Sequence, residues 1–143
     1  MSQPLILLIE DNLADVVFFQ EALRATGLKA RIEVAKSGEE ALRFLRRQGR
    51  HAQAPRPDVI VLDLNLPVKN GHQVAAELAE DMELGAIPVA VLTTSSSETC
   101  VCRLFPQGRC LYFVKTDEFK RLQEIVRKIV VHAGPATAQA PRL

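Results

Sequence analysis

Asp63 stands directly after an uninterrupted apolar run, Val59-Ile60-Val61-Leu62, and is followed by Leu64-Asn65-Leu66-Pro67. Such a run between breakers predicts a strand buried on both faces, as in a parallel sheet, and Pro67 keeps the ladder from continuing. Three other apolar runs also end in polar groups: residues 4–9 in Glu10-Asp11, residues 88–92 in Thr93, and residues 111–114 in Lys115. If these strands are parallel and adjacent, their polar ends converge on one rim, where open α/β sheets place the ligand crevice. Three carboxylates gathered there repel one another and cannot all stay ionised without a cation among them. Oxygen ligands with no His or Cys nearby favour Mg²⁺, which is held by one or two carboxylates plus phosphate oxygens. Lys115 adds a compact positive charge and Thr93 a hydroxyl donor. A carboxylate nucleophile beside a divalent cation suits formation of an aspartyl phosphate. Phosphoryl transfer asks mainly for positioning and charge neutralisation, which this set supplies.

The elements that must position these groups follow from the pattern. Asn12 is a good N-cap for a helix over residues 13–26, and Gly27 a natural stop. Leu13, Val16, Val17 and Leu23 fall on one side of it, with Gln20 as a polar exception and Phe18 and Phe19 widening the apolar face. Residues 31–35 alternate and predict a half-exposed edge strand. Ser37 and Glu40 have capping-box spacing at the start of a second helix. Asn70 caps a third over about residues 71–82. Ser95 and Glu98 form another box for a fourth, ending near Phe105, where Pro106 and Gly108 break it. Phe119, Leu122, Ile125, Val126, Ile129 and Val130 define an amphipathic fifth helix up to about His132. Strand and helix alternate five times, which predicts an α/β fold, a parallel sheet with helices on both faces.

The 143 residues, 48% of them hydrophobic, suffice for one domain with a full core. A formal net charge of +1 gives no argument for nucleic acid as partner. The first apolar run is far too short to span a bilayer. Three cysteines, an odd number, without a signal peptide predict a reducing, cytoplasmic location. Cys100, Cys102 and Cys110 read as small apolar filler, since Cys100 and Cys102 point to different sides of a helix and no fourth metal ligand is evident. Residues 46–56, with Arg46, Arg47, Arg50, His51 and Arg56, could meet an anionic surface but read more simply as a solvated connector. The expected organisation is a domain over 1–132 and a flexible tail over 133–143.

The set Glu10-Asp11, Asp63 with Asn65 and Pro67, Gly71, Thr93, and Tyr112 before Lys115 resembles the receiver domain of two-component response regulators over about residues 4–132. The wording of residues 8–15, 63–67 and 92–96 looks most like the small stand-alone regulators associated with bacterial phytochromes. The resemblance implies a flavodoxin-like, doubly wound sheet of five strands in order 2-1-3-4-5, with five helices. It implies that Asp63 takes a phosphoryl group from a phosphohistidine on a sensor histidine kinase, a bacteriophytochrome being one candidate. It further implies that Asp11 and Asp63 bind Mg²⁺ through side chains, Asn65 through its backbone carbonyl, and Glu10 through metal-bound water. Lys115 would pair with the phosphoryl oxygens, Thr93 and Tyr112 would switch, and Asn65 and Ser95 would tune dephosphorylation. A homodimer through the fourth helix, fifth strand and fifth helix is a family expectation, with Phe105, Phe119 and Val130 as contributors. Two departures bear on this: Thr116 follows Lys115 where the family usually has proline, and Pro106 falls where the fourth helix usually continues.

Alternatives stand beside these readings. The run Thr93 to Ser97 offers several hydroxyls besides that of Thr93, and Tyr112 reads equally well as a half-buried packing residue. For the whole chain, the signalling receiver is expected not to be a turnover enzyme, but an autocatalytic phosphoacceptor with slow self-dephosphorylation. Its output would be protein–protein contact or transfer to a histidine phosphotransfer protein, with no attached output domain. A small phosphohydrolase would want a second acid two residues after the nucleophile, where Asn65 stands. An interaction scaffold without phosphorylation is the third reading.

Overall fold

The computed structural model describes residues 3–94 and 99–134. Five strands, β1 (Leu5–Ile9), β2 (Arg31–Ala35), β3 (Val59–Leu62), β4 (Val89–Thr93) and β5 (Cys110–Val114), pair in parallel in the order β2-β1-β3-β4-β5. The expected sheet is thus present. The described residues hold four α-helices rather than five: α1 (Leu13–Thr26), α2 (Gly38–Leu45), α3 (Gly71–Glu80) and α4 (Phe119–Ala133). In place of the expected fourth helix lies a 3-10 segment, Thr99–Leu104. Pro106 clashes with any continuing turn, and Gly108 adopts a left-handed φ of 83°, so the chain turns back into β5 after six residues. The Ser95–Glu98 box lies outside the described residues, as does Ser95 itself, and so do residues 135–143 of the expected tail.

Alternation along the central strands feeds two cores. Ile6, Leu8, Val59, Val61, Ala90 and Leu92 face α1 and α4, while Leu7, Ile9, Ile60, Leu62, Val89 and Val91 face α2, α3 and the 3-10 segment. The central strands β1, β3 and β4 are buried along their whole length, and β2 alternates as an edge should. Helix α1 turns a different stripe inward from the one its spacing suggested. Val16, Phe19, Ala22 and Leu23 are buried, whereas Leu13 and Val17 are exposed. Phe18 and Phe19 make both flanks of the helix apolar; Phe19 is buried in the core and Phe18 packs half-buried at its edge. Phe105 is likewise core rather than surface.

The expected N-caps are present, but the Ser37–Glu40 box is only half made, since Ser37 accepts from Glu40 N–H while the Glu40 carboxylate pairs with Arg50. Asn12, Ser37 and Asn70 accept from the backbone N–H three residues on, and Asn70 with Gln73 completes a reciprocal box. Arg46 pairs with Glu77 and Arg50 with Glu40, so the basic connector folds its charges back onto its own domain. The cysteines depart from expectation. Cys102 and Cys110 form a disulfide across a Cα–Cα distance of 5.2 Å, leaving Cys100 as an exposed free thiol. Filler was expected because spacing alone could not show the 3-10 segment folding back on the start of β5.

Candidate functional site

The strand register brings the polar ends together. Ile9 pairs with Leu62, so Glu10 and Asp63 leave neighbouring strands at the same level. Asp63 N–H donates to the Ile9 carbonyl at 3.2 Å, and Lys115 N–H to the Thr93 carbonyl at 2.7 Å. One more ladder step beyond each strand fixes the backbones from which Glu10, Asp63 and Lys115 project.

Ligand oxygens of Glu10, Asp11 and Asp63 all lie within 4.8 Å of one another. Glu10 and Asp63 are buried and Asp11 is exposed. Between them reaches the Lys115 ammonium, 2.7 Å from Glu10 Oε1, 3.2 Å from Asp63 Oδ2 and 2.8 Å from Asp15 Oδ2. Its stem runs along an apolar wall that includes Leu8, Phe18, Phe19 and Leu122. Burial pushes the Glu10 carboxyl up to about 7, against hydrogen bonds from Lys115 and the Asn12 N–H; the charge of Asp63 adds to the rise. Burial works against the Lys115 ammonium, but hydrogen bonds to Asp15 and Glu10 and the charge of Asp63 outweigh it and hold its pKa above the ordinary lysine value.

The other expected residues arrange themselves around this pair. Asn65 N–H donates to Asp63 Oδ1 at 3.1 Å, and its amide reaches the hydroxyls of Thr94 at 3.0 Å and Thr93 at 3.4 Å. Thr93 is fully buried at the end of β4. Tyr112 pairs with Val91 in register, so it shares a sheet face with Val91 and Thr93 and packs half-buried against the α2–α3 core, away from the acids. Gly71 opens α3 where a Cβ would come within 2.4 Å of Leu64 Cα and 2.5 Å of the Asp63 carbonyl oxygen. Only glycine lets the helix start approach the Asp63 loop so closely. Where the family has proline, the Thr116 hydroxyl accepts from Glu118 N–H at 3.1 Å and serves the turn into α4. No peptide bond among the described residues is cis, and Lys115 reaches the acids nonetheless.

Asp15 was not foreseen. The signal was available: Asn12 as N-cap puts residue 15 in the first turn of α1, directly over the strand ends.

A doubly wound parallel sheet with an acidic cluster and a lysine at the carboxyl ends of its strands defines a receiver-type α/β domain. The chain belongs to the response regulator receiver domain family, whose model matches residues 6–127. It is 39% identical over 124 residues to response regulator Rcp1 of Synechocystis sp., covering 87% of this chain and 84% of that protein. Among solved structures it is similar to the phosphorylated cyanobacterial phytochrome response regulator RcpA, with TM-score 0.79 and 40% identity over 90% of this chain and 91% of that one. It is also similar to the Mn²⁺-bound form of Rcp1, with TM-score 0.76 and 38% identity over 88% and 91% of the two chains. Proteins of this family partner with sensor histidine kinases and are typically not turnover enzymes. No helix among the described residues is long and apolar enough to cross a membrane.

Proposed function

We propose that this chain is a phosphoacceptor: Asp63 takes a phosphoryl group from a phosphohistidine on a sensor histidine kinase in a Mg²⁺-dependent reaction. The observation that carries the reading is the Lys115 ammonium held among buried carboxylates, 2.7 Å from Glu10 and 3.2 Å from Asp63. The donor set fits a hard divalent cation, because three carboxylate oxygens within 4.8 Å are all oxygen ligands and Lys115 alone does not neutralise them. Asp11 and Asp63 would hold Mg²⁺ with side chains, Asn65 with its backbone carbonyl, and Glu10 through water. The cation would neutralise phosphoryl oxygens as charge shifts during transfer.

The chain's own residues do the rest. The Asp63 carboxylate, fixed by the Asn65 N–H on one oxygen, attacks with the other, which faces Lys115. Lys115 exchanges a carboxylate contact for a phosphoryl oxygen, and Thr93 and Asn65 lie beside the place where the group arrives. Asn65 is also an amide where a turnover phosphatase would carry an acid, so release is left to slow hydrolysis tuned by Asn65 and Ser95. Thr93 and Tyr112, on one sheet face, then form the switch. The names of similar solved response regulators, which mention a cyanobacterial phytochrome or a bacteriophytochrome, support a bacteriophytochrome as the kinase.

In this reading the receiver occupies 1–132 with a tail over 133–143, works in the cytoplasm, and acts through protein contacts or a histidine phosphotransfer protein. The homodimer face would be the 3-10 segment, β5 and α4, where Leu104, Val114 and Val131 are exposed, rather than Phe105. Incubation with acetyl phosphate and Mg²⁺, read by intact mass, should add one phosphoryl group that Asp63→Asn abolishes. Labelling that survives Asp63→Asn refutes the assignment; multiple turnover on small phosphomonoesters favours the hydrolase reading instead.

A further inference from the structure

The stretch between Thr93 and Tyr112 carries the three cysteines of the chain, and none of them takes part in the acidic site. Two of them are joined. Cys102 lies in the 3-10 segment Thr99–Leu104, and Cys110 opens β5 opposite Val89, at the end of the sheet remote from Asp63. Both are only partly buried, against the same core on which Tyr112 packs. Cys110 and Tyr112 are two residues apart on one strand and so share a face. A bond of this kind, reachable from solvent, is open to attack by a small thiol, unlike one sealed in a core. It also sits beside an exposed free thiol, Cys100, in the same chain.

What the bond constrains is specific. A 3-10 segment of six residues has poorer hydrogen bonding than an α-helix and little hold of its own. Val101 and Phe105 insert it into the core. Past Phe105 the chain passes through Pro106 and the left-handed Gly108 to Arg109 before rejoining the sheet. The Cys102–Cys110 bond closes this excursion into a short ring and fastens the 3-10 segment to β5.

We propose that Cys102 and Cys110 form a reversible dithiol–disulfide site that sets how freely the 3-10 segment Thr99–Leu104 moves against β5. The partner is a low-molecular-weight disulfide such as oxidised glutathione. The thiolate of one cysteine attacks a sulfur of that disulfide, forming a mixed disulfide and releasing one small thiol. The thiolate of the other then attacks the protein sulfur of the mixed disulfide, closing Cys102–Cys110 and releasing the second small thiol. The two protons of the protein thiols end on the two small thiols, and the two electrons lost by the protein sulfurs reduce the external disulfide. Reduction runs the same steps backwards.

The test equilibrates the full chain in buffers of reduced and oxidised glutathione over a wide ratio, traps thiols by alkylation, and reads intact mass and alkylated peptides. Reactive thiols should move reversibly between one and three, with Cys102 and Cys110 changing together. Cys100→Ser should keep that two-thiol step and Cys102→Ser remove it. Amide hydrogen exchange over residues 99–114 should slow by about tenfold or more in the oxidised form. Tyr112 is the chain's one tyrosine and there is no tryptophan, so its emission should change with the same midpoint. The proposal is overturned if Cys102 and Cys110 are alkylated at every ratio, or if glutathione opens the bond only in denaturant. It is equally overturned if the thiol step leaves exchange over 99–114 unchanged. The wild-type titration needs no variant to fold, and the thiol count does not pass through Asp63.

Discussion

Lys115 and Asp15 meet at 2.8 Å across the mouth of the acidic site, giving the ammonium an outer partner as well as the buried Glu10 and Asp63. The two kinds of partner differ in what they contribute. The Asp15 side chain is 42% exposed, while those of Glu10 and Asp63 are 5% exposed. Asp15→Asn should therefore change stability by less than about 1 kcal/mol, as exposed pairs do. Lys115→Met leaves two buried carboxylates without their cation and should cost about 2–4 kcal/mol in urea unfolding without Mg²⁺. Saturating Mg²⁺ should recover most of that loss, because a divalent cation takes over the neutralising role. A Lys115→Met loss that Mg²⁺ leaves untouched would show that the acids hold no cation.

Acidity should act on the metal-free and metal-bound protein in opposite senses. Burial raises Glu10 from its ordinary value to about 7, so the folded protein binds a proton that the unfolded chain has already lost. The contribution of Glu10 to stability is then fully present below its unfolded pKa of about 4.5 and is lost as pH rises through about 7. A cation among the acids must displace that proton. Mg²⁺ affinity should thus fall by up to about tenfold per pH unit below 7. Mg²⁺ titrations between pH 5.5 and 8, followed by thermal melting, check this. Glu10→Gln should flatten the profile, and a wild-type affinity independent of pH over that range contradicts it.

Gly71 offers a test of how tightly the Asp63 loop is held. A methyl group at this position would sit 2.4 Å from Leu64 Cα and 2.5 Å from the Asp63 carbonyl, both backbone atoms that cannot swing aside. Gly71→Ala should destabilise by about 1–3 kcal/mol through overpacking. It should also slow acetyl phosphate labelling more than it lowers Tm, since moving the Asp63 backbone misplaces the nucleophile. Labelling at the wild-type rate in a folded Gly71→Ala protein would separate the close approach from the chemistry.

The parts of the fold that were legible are those where one residue type admits one arrangement. Uninterrupted apolar runs ending in Asp63 and Thr93 specify buried parallel strands, and Asn12, Ser37 and Asn70 specify helix starts. The site was legible because parallel strands carry their last residues to one rim whatever the loops do. Three things were not. The inward face of α1 was ambiguous because apolar residues lie on most of its circumference. The 3-10 segment was read as a helix because capping spacing signals a start but not how far a helix runs before Pro106 and Gly108 stop it. The Cys102–Cys110 pair depends on that turn, since residues eight apart meet only when the chain reverses between them.

Thr93 and Tyr112 give the last prediction, because the sheet register links them without a direct contact through the acids. Thr93 is fully buried, its carbonyl accepts from Lys115 N–H at 2.7 Å, and its hydroxyl faces the Asn65 amide at 3.4 Å. Tyr112 stands on the same sheet face, paired with Val91 two residues before Thr93. Thr93→Val keeps the backbone bond and the β-branched shape while removing the hydroxyl that could turn toward a phosphoryl oxygen. Asp63 and Lys115 keep their places, so acetyl phosphate should still label the protein to a similar extent. The phosphorylation-dependent change in Tyr112 emission should fall by half or more, because the proposed switch runs through that hydroxyl. Stability should change by less than about 1 kcal/mol, because the exposed Asn65 amide keeps its 3.0 Å bond to the Thr94 hydroxyl and its access to water. An unchanged emission response in fully labelled Thr93→Val would assign the switch to another hydroxyl of the same run, Thr94 being the one already 3.0 Å from the Asn65 amide.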